Sequence, residues 1–307
     1  MPRSLTLEGI IPLVPLPVDA ETREIQYSTL PALLEFALGM GVTGLQVPGH
    51  LSEYLKLSDA DRTNIIRVAV ETVNGRSRLI APVYHYSPDR AAATAQEYAA
   101  LGVDVIAFTI PRPALVSNDD VLAYCRTICR AVNVPVLIQD RNPTGPTVGP
   151  DFCQRMLETC PNFRYLKLEE PLMYQVAGKL VALRAATNNA IQLFEGWHGL
   201  YTLDLMPYGI SGVMTNLGIA DILGRVWTLA RQNEPDKAAD LFERVLPQML
   251  FGLQNPEMYV YLDKRLLVER GVMGEAAMQP ISFSPSAELI SRGDFLNRRV
   301  AHILEQK

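Results

Sequence analysis

The sequence predicts an α/β fold, a closed (β/α)8 TIM barrel followed by a C-terminal helical subdomain. Three observations carry this. Short apolar runs alternate with amphipathic stretches to make eight strand–helix units in about 230 residues, the size of a closed barrel rather than an open doubly wound sheet. Nearly all the runs are continuously apolar, as in parallel strands covered on both faces. No G-x-G-x-x-G stretch opens the first unit, which argues against a dinucleotide-binding sheet.

The first strand is read in the proline-punctuated run Gly9 to Pro17. Helical apolar spacing follows over Tyr27 to Met40, with Leu30, Leu33, Leu34 and Ala37 on one face. The second strand spans Gly41 to Gly49, and Ser58 caps a helix running to about Val73. The pattern repeats as strand Arg78–Tyr84 and helix Pro88–Leu101, strand Val103–Ile110 and helix Asn118–Ala131, strand Pro135–Gln139 and helix Pro150–Thr159. The strand around Lys167 precedes a helix over Met173–Ala186. Strand Ile191–Trp197 leads to a helix near Leu200–Met206, and strand Gly209–Thr215 to a helix over Ala220–Ala230. The tail is helical over Asp236–Leu250, Glu257–Val272 and Ser286–Ile303. Residues 1–233 therefore form the barrel. Residues 234–307 form an extension too short to be independent of it.

Of the 307 residues, 48% are hydrophobic and 20% charged, with a net charge of −5 and no long charged run. Nothing favours nucleic acid or a membrane surface, and no apolar stretch reaches the roughly 18 residues of a transmembrane helix. The N-terminus lacks the apolar core of a signal peptide, so a cytoplasmic protein is expected. Cys125, Cys129, Cys153 and Cys160 have no histidine near them in sequence and read as buried free thiols rather than a zinc site.

The most informative stretch is Phe163-Arg-Tyr-Leu-Lys-Leu-Glu-Glu-Pro171. Strand alternation points Tyr165, Lys167 and Glu169 one way, and Leu166 and Leu168 the other. An amine and a carboxylate then stand about 7 Å apart along the strand. Two readings fit: a structural ion pair at a strand end, or an amine that attacks a carbonyl beside a base for the next carbon.

Barrel sites lie at the carboxyl ends of the strands. The residues there are Gly49, His50, Leu51, Ser52 and Glu53 after the second strand; Tyr84, His85, Tyr86 and Ser87 after the third; Gln139 and Asp140 on the fifth; Lys167 and Glu169 on the sixth; Glu195, Trp197 and His198 at the seventh; and Met214, Thr215 and Asn216 at the eighth. A metal centre built from His50, His85, Asp140 or Glu195 matches no ligand spacing. Tyr86 reads equally as a packing residue under its loop, and Glu195 as a partner for loop backbone.

These residues resemble the dihydrodipicolinate synthase / N-acetylneuraminate lyase family of class I, Schiff-base-forming barrels, over essentially the whole chain. Gly49-His-Leu-Ser-Glu53 resembles the family's carboxylate-holding loop, and Leu57-Ser-Asp-Ala-Asp-Arg62 its continuation. Lys167 matches the Schiff-base lysine, and Gly209-Ile-Ser-Gly-Val-Met-Thr-Asn216 the strand-eight signature. Gln139 falls where the family has a proton-shuttling tyrosine. The stretch Ile110-Pro-Arg-Pro113 has no tyrosine at the synthase's second position, and the loop Arg141-Asn-Pro-Thr-Gly145 is shorter than the one carrying the synthase's arginine. With Glu169 two residues after the lysine and the tyrosine absent, the pattern is similar to the L-2-keto-3-deoxyarabonate dehydratase subgroup, from which His50 and Trp197 depart.

The resemblance implies an enzyme, a hydro-lyase on a 2-keto-3-deoxy sugar acid. Lys167 would form the imine and Glu169 remove a C3 proton, with help for the leaving hydroxyl from the His85/Tyr86/Gln139 side or from water. Leu51, Ser52 and Thr215 would hold the carboxylate, and His50, Glu195, Trp197 and Met214 complete the expected substrate-binding set. It implies no metal or cofactor, a small keto acid as the ligand, and a homo-oligomer, tetramer or dimer. A retro-aldol lyase and a non-catalytic keto-acid-binding barrel are the alternatives.

Overall fold

The computed structural model describes residues 6–112, 117–142, 145–170, 176–280 and 283–305. Its strands are β1 (Gly9–Leu13), β2 (Gly44–Gln46), β3 (Arg78–Val83), β4 (Val105–Thr109), β5 (Val136–Arg141), β6 (Phe163–Glu169), β7 (Gln192–Glu195) and β8 (Gly212–Asn216). They follow chain order around a closed barrel. The helices are α1 (Leu30–Gly39), α2 (Asp59–Val73), α3 (Pro88–Ala100), α4 (Asn118–Ala131), α5 (Pro150–Leu157), α6 (Val176–Ala186), α7 (Thr202–Leu205), α8 (Ala220–Arg231), α9 (Pro235–Gly252), α10 (Pro256–Glu269) and α11 (Ala287–Ala301).

The expected elements are all present, and their edges move for local reasons. The first strand stops at Leu13 because Pro15 and Pro17 have no N–H for a ladder, although Val14 N still donates to Gln46 O at 3.0 Å. The helix expected near Leu200–Met206 shrinks to the single turn α7, and Met206–Tyr208 continue it as a tighter 3-10 turn that ends at Gly209 in the left-handed region. The fifth strand runs on to Arg141, beyond the expected end at Gln139. The expected start of the sixth helix at Met173 lies outside the described residues. Ser58 caps α2 as expected, accepting from Asp61 N at 3.1 Å.

The chain divides into two compact units: residues 78–214 with the segment up to Glu8, and residues 9–77 with 215–307. In the first, β3 to β7 pair in parallel, and their outward side chains meet the helices. Phe108 packs edge-on against Tyr124 of α4 at 6.0 Å, and Phe163 against Phe152 of α5 at 6.5 Å. All four cysteines are buried and unbridged in this unit, as the sequence suggests.

In the second unit β1 pairs with β2, and the tail helices α9, α10 and α11 join α1, α2 and α8. Asp263 and Lys264, adjacent on α10, are both fully buried. Asp263 Oδ1 accepts from Asn216 Nδ2 at 2.6 Å and from Gly218 N at 2.9 Å. Lys264 Nζ donates to Glu53 Oε2 at 2.8 Å and to Ala277 O at 2.7 Å. Burial pushes the Asp263 carboxyl up to about 6 and the Lys264 amine down. Among the described residues, no helix is long and apolar enough to cross a membrane, and no group of three or more His, Cys, Asp or Glu side chains is placed to hold a metal ion.

Candidate active site

The pairing of β5 with β6 decides what surrounds Lys167. Val136 stands opposite Phe163, but Leu137 stands opposite Tyr165, so Arg164 is an extra residue on β6. This bulge brings Gln139 opposite Lys167 and Arg141 opposite Glu169. Pairing continued unbroken from Val136 and Phe163 would place Asp140 there instead, because a one-residue slip exchanges the two faces. The slip also leaves Phe163 on the helix-covered face while Tyr165, Lys167 and Glu169 share the other.

Across the sheet the lysine's face continues through Thr109 on β4 and Phe194 on β7. Phe194 and Tyr165 stack edge-on at 6.1 Å and floor the site with apolar surface. On that floor Lys167 Nζ lies 3.3 Å from Glu169 Oε1, with side chains only 5% and 9% exposed. Gln139 Nε2 donates to the same Oε1 at 2.5 Å, while Gln139 Oε1 accepts from Thr109 Oγ1 at 3.3 Å. Arg141 Nε approaches Glu169 Oε2 at 3.4 Å. The carboxylate is thus fixed by an amide, a guanidinium and the lysine. A primary amine in this setting can form an imine with a ketone, and the carboxylate can take a proton from the adjoining carbon.

The other polar residues at these strand ends face away from the lysine and hold loops. Asp140 is fully buried; its carboxylate accepts from Arg112 Nε at 2.8 Å and from Val148 N at 2.6 Å. Glu170 is buried between Thr147 and Lys179. Glu195 pairs with Leu168 in register and so points outward with it. Its Oε1 accepts from Trp197 N at 2.8 Å and its Oε2 from Gly199 N at 2.7 Å. Burial pushes its carboxyl up to about 7, against those two backbone donors and the charge of Lys167. Glu195 is therefore the clasp of the β7 loop, the loop-backbone partner that the sequence left open, rather than a group presented to a ligand.

The remaining expected site residues divide between the two units. In the first, Met214 is buried on β8, two residues beyond Gly212, the register partner of Phe194. Trp197 is half-buried and its indole N–H donates to Glu170 O at 3.0 Å. His85 is exposed, and its Nδ1 accepts from Ser87 N at 2.9 Å. Tyr86 is 52% exposed; it is Tyr84, one step beyond the paired Val83, that continues onto the lysine's face. Tyr84 donates to Tyr86 Oη at 3.4 Å, and burial first, then Tyr86, pushes its phenol up to about 12.

In the second unit, His50, Leu51 and Ser52 form one 3-10 turn after β2. The Ser52 hydroxyl donates to Val14 O at 2.6 Å and accepts from Gly49 N at 3.0 Å, so its proton holds the turn closed. Thr215 is fully buried and its hydroxyl donates to Asn216 Oδ1 at 3.2 Å.

Sequence reading named Tyr84 at its strand end and missed Thr109, Phe194 and Arg141 on the lysine's face. Counting alternate residues back from each strand end finds them once the register is known.

Gly196 follows Glu195 and lies under the Glu169 side chain. A Cβ built there would overlap Glu169 Cγ and stand 2.9 Å from Oε1. Gly196→Ala therefore displaces the carboxylate while leaving Lys167 untouched. Turnover of an accepted 2-keto acid is expected to fall about 100-fold, the cost of misplacing a reacting group by about 1 Å, with borohydride trapping at Lys167 retained. Wild-type turnover in this variant would show that the Glu169 position is not used.

The chain is 25% identical over 292 residues to L-2-keto-3-deoxyarabonate dehydratase of Azospirillum brasilense, covering 94% of this chain and 92% of that one. It is 26% identical over 216 residues to an uncharacterized DapA-like lyase of Rhizobium meliloti, covering 68% and 67%. Among solved structures, dihydrodipicolinate synthase from Rhodopseudomonas palustris superposes with a TM-score of 0.86 at 22% identity over 95% of this chain and 97% of that one. CdNal from Clostridium difficile, solved with mannosamine, superposes at 0.83 and 20% identity, covering 96% and 99%. Residues 6–284 match the model of the dihydrodipicolinate synthetase family, and the chain belongs to that family of lyases.

Proposed function

We propose that this protein is a Schiff-base hydro-lyase that dehydrates a 2-keto-3-deoxy sugar acid to a semialdehyde. The observation that carries the reading is the buried Lys167–Glu169 pair on one strand face, 3.3 Å apart, with an amide at Gln139 beside it. Lys167 Nζ bonds to the C2 ketone, whose oxygen leaves as water, giving an iminium that serves as an electron sink. Glu169 takes a C3 proton, and its electron pair forms the enamine. The enamine expels the C4 hydroxyl, which leaves as water on receiving a proton. Glu169 holds one at that moment and can return it. Tautomerisation and hydrolysis then free the lysine. For a five-carbon acid the product is 2-oxoglutarate semialdehyde.

Gln139 favours dehydration over retro-aldol cleavage. Cleavage needs a group that removes the C4 hydroxyl proton, and a carboxamide cannot shuttle protons. In this reading Gln139 orients Glu169. The Ser52 hydroxyl is left out of this reading, since its proton is committed to Val14. The same reading carries a homo-oligomer, dimer or tetramer, in the cytoplasm, acting on a small keto acid without a cofactor.

The test is product analysis by NMR after mixing the protein with 2-keto-3-deoxypentonate. Semialdehyde without pyruvate is the expected result. Pyruvate with glycolaldehyde would replace the reading by retro-aldol cleavage, and no conversion together with no reducible adduct would leave a binding barrel.

A further inference from the structure

The four cysteines of the first unit are not equivalent. Cys129 lies in the last turn of α4, and Cys160 in the turn between α5 and β6. The Cys129 thiol donates a hydrogen bond to Cys160 Sγ, so the two sulfurs are in contact. The surrounding backbone holds them there. Asn162 Nδ2 donates to the carbonyls of Cys129 at 2.9 Å, Val132 at 2.9 Å and Val134 at 3.2 Å, which staples the turn to the end of α4. Cys160 N donates to Met156 O at 2.8 Å, and Thr159 Oγ1 lies 3.7 Å from Cys160 Sγ.

The charges around this pair favour an anion on Cys160. Arg126 and Arg130 act on it from α4, and Arg126 Nε is buried with no hydrogen-bond partner among the described residues. The Cys129 hydrogen bond first, then Thr159 and the two arginines, outweigh burial and bring the Cys160 thiol down to about 6. The same hydrogen bond and burial push Cys129 well up, and burial pushes Cys125 well up and Cys153 up to about 12. At neutral pH one thiolate therefore faces one thiol, as an attacking cysteine faces a resolving one. Both side chains are buried, yet Glu158 and Pro161 in the same turn are exposed, so the pair lies just beneath the surface. Bulky reagents are excluded there, and an oxidant close to the size of water is not.

We propose that Cys160 is a peroxide-reactive modification site and that Cys129 resolves it as an intramolecular disulfide. The Cys160 thiolate attacks one oxygen of a hydroperoxide. The O–O bond breaks, Cys160 becomes a sulfenic acid, and the other oxygen leaves as hydroxide or alkoxide and takes a proton from solvent. The Cys129 sulfur then attacks Cys160 Sγ. The S–S bond forms, the S–O bond breaks, and the departing hydroxide takes the Cys129 proton to leave as water. The two sulfurs give up two electrons in all, and the peroxide accepts both. No residue of the Lys167 site takes part.

The experiment treats reduced full-length protein with hydrogen peroxide at pH 7, in wild type, Cys160→Ser, Cys129→Ser and Cys125→Ser. Products are read by intact mass and by peptide mapping without reduction. Trypsin leaves each cysteine on its own peptide. Wild type is expected to lose two hydrogens and to yield one linked pair, the peptides of Cys129 and Cys160. Oxidation of Cys160 should outpace that of any other cysteine by at least about tenfold, since an ordinary thiol is only a few per cent thiolate at this pH. Cys129→Ser should stop at a Cys160 sulfenic acid, captured by dimedone once the protein is unfolded. Cys160→Ser should give neither product, and Cys125→Ser should behave as wild type. Circular dichroism checks that each variant is folded. Wild-type protein in which Cys160 stays reduced under peroxide would overturn the proposal whether or not the variants fold. A wild-type Cys160 sulfenic acid that never closes on Cys129, or a linked pair involving Cys125 or Cys153, would overturn the resolving role of Cys129.

Discussion

Lys167→Ala is expected to lower turnover by about 10^4-fold or more, because the variant has no amine to form the covalent intermediate. Borohydride reduction in the presence of a 2-keto acid should leave the intact mass of the variant unchanged, whereas wild type gains one reduced adduct. Removing the amine also takes a cation from a buried carboxylate, the kind of change that costs about 3–5 kcal/mol when no partner remains. Arg141 stays beside Glu169, 3.4 Å away, so the loss should fall below that range. Lys167→Arg separates the two effects. It keeps the positive charge beside Glu169 and should remain as inactive as the alanine variant, while recovering part of any drop in melting temperature. An adduct formed on another lysine, or residual turnover within tenfold of wild type, would remove Lys167 from the chemistry.

Glu169→Gln should separate imine formation from elimination. The carboxamide oxygen can still accept from Gln139 Nε2, so the variant keeps the hydrogen bond that fixes residue 169. It cannot take a proton from carbon. Trapping with pyruvate should proceed, while dehydration falls by about 10^2- to 10^4-fold, the usual contribution of a positioned base. Deuterium exchange is a second readout. Wild type in D2O should exchange the methyl protons of pyruvate through the enamine, and Glu169→Gln should lose that exchange in proportion to turnover. Full dehydration by the variant, or exchange at the wild-type rate, would assign the base to another group.

Much of this was legible in the sequence, and the rest failed for identifiable reasons. The barrel followed from the eight repeats of apolar run and amphipathic stretch, and the shared face of Lys167 and Glu169 from alternation along one strand. What alternation within one strand cannot give is the register with the next. Gln139 and Asp140 are consecutive polar residues, and only the bulge at Arg164 decides that the amide meets the lysine while the carboxylate turns outward to Arg112. Glu195 looked like a site residue because it ends a strand; its pairing with Leu168 puts it on the loop side. Tyr86 was taken for the phenol of its loop, one alternate step beyond Tyr84 on the lysine's face. Arg141 was passed over because the strand was expected to stop at Gln139, two residues too soon.

The adjacent buried charges on α10 limit where this chain could be divided. A gene fragment ending at codon 233 would encode every barrel strand and still omit Asp263 and Lys264. Asn216 and Gly218 would lose their acceptor, and Glu53 would be left as a buried anion without the ammonium that Lys264 holds against it. In recombination or circular permutation, the helical tail and the first two strand–helix units are thus inherited as one piece: the C-terminal extension is separate from the barrel in sequence and inseparable from it in charge.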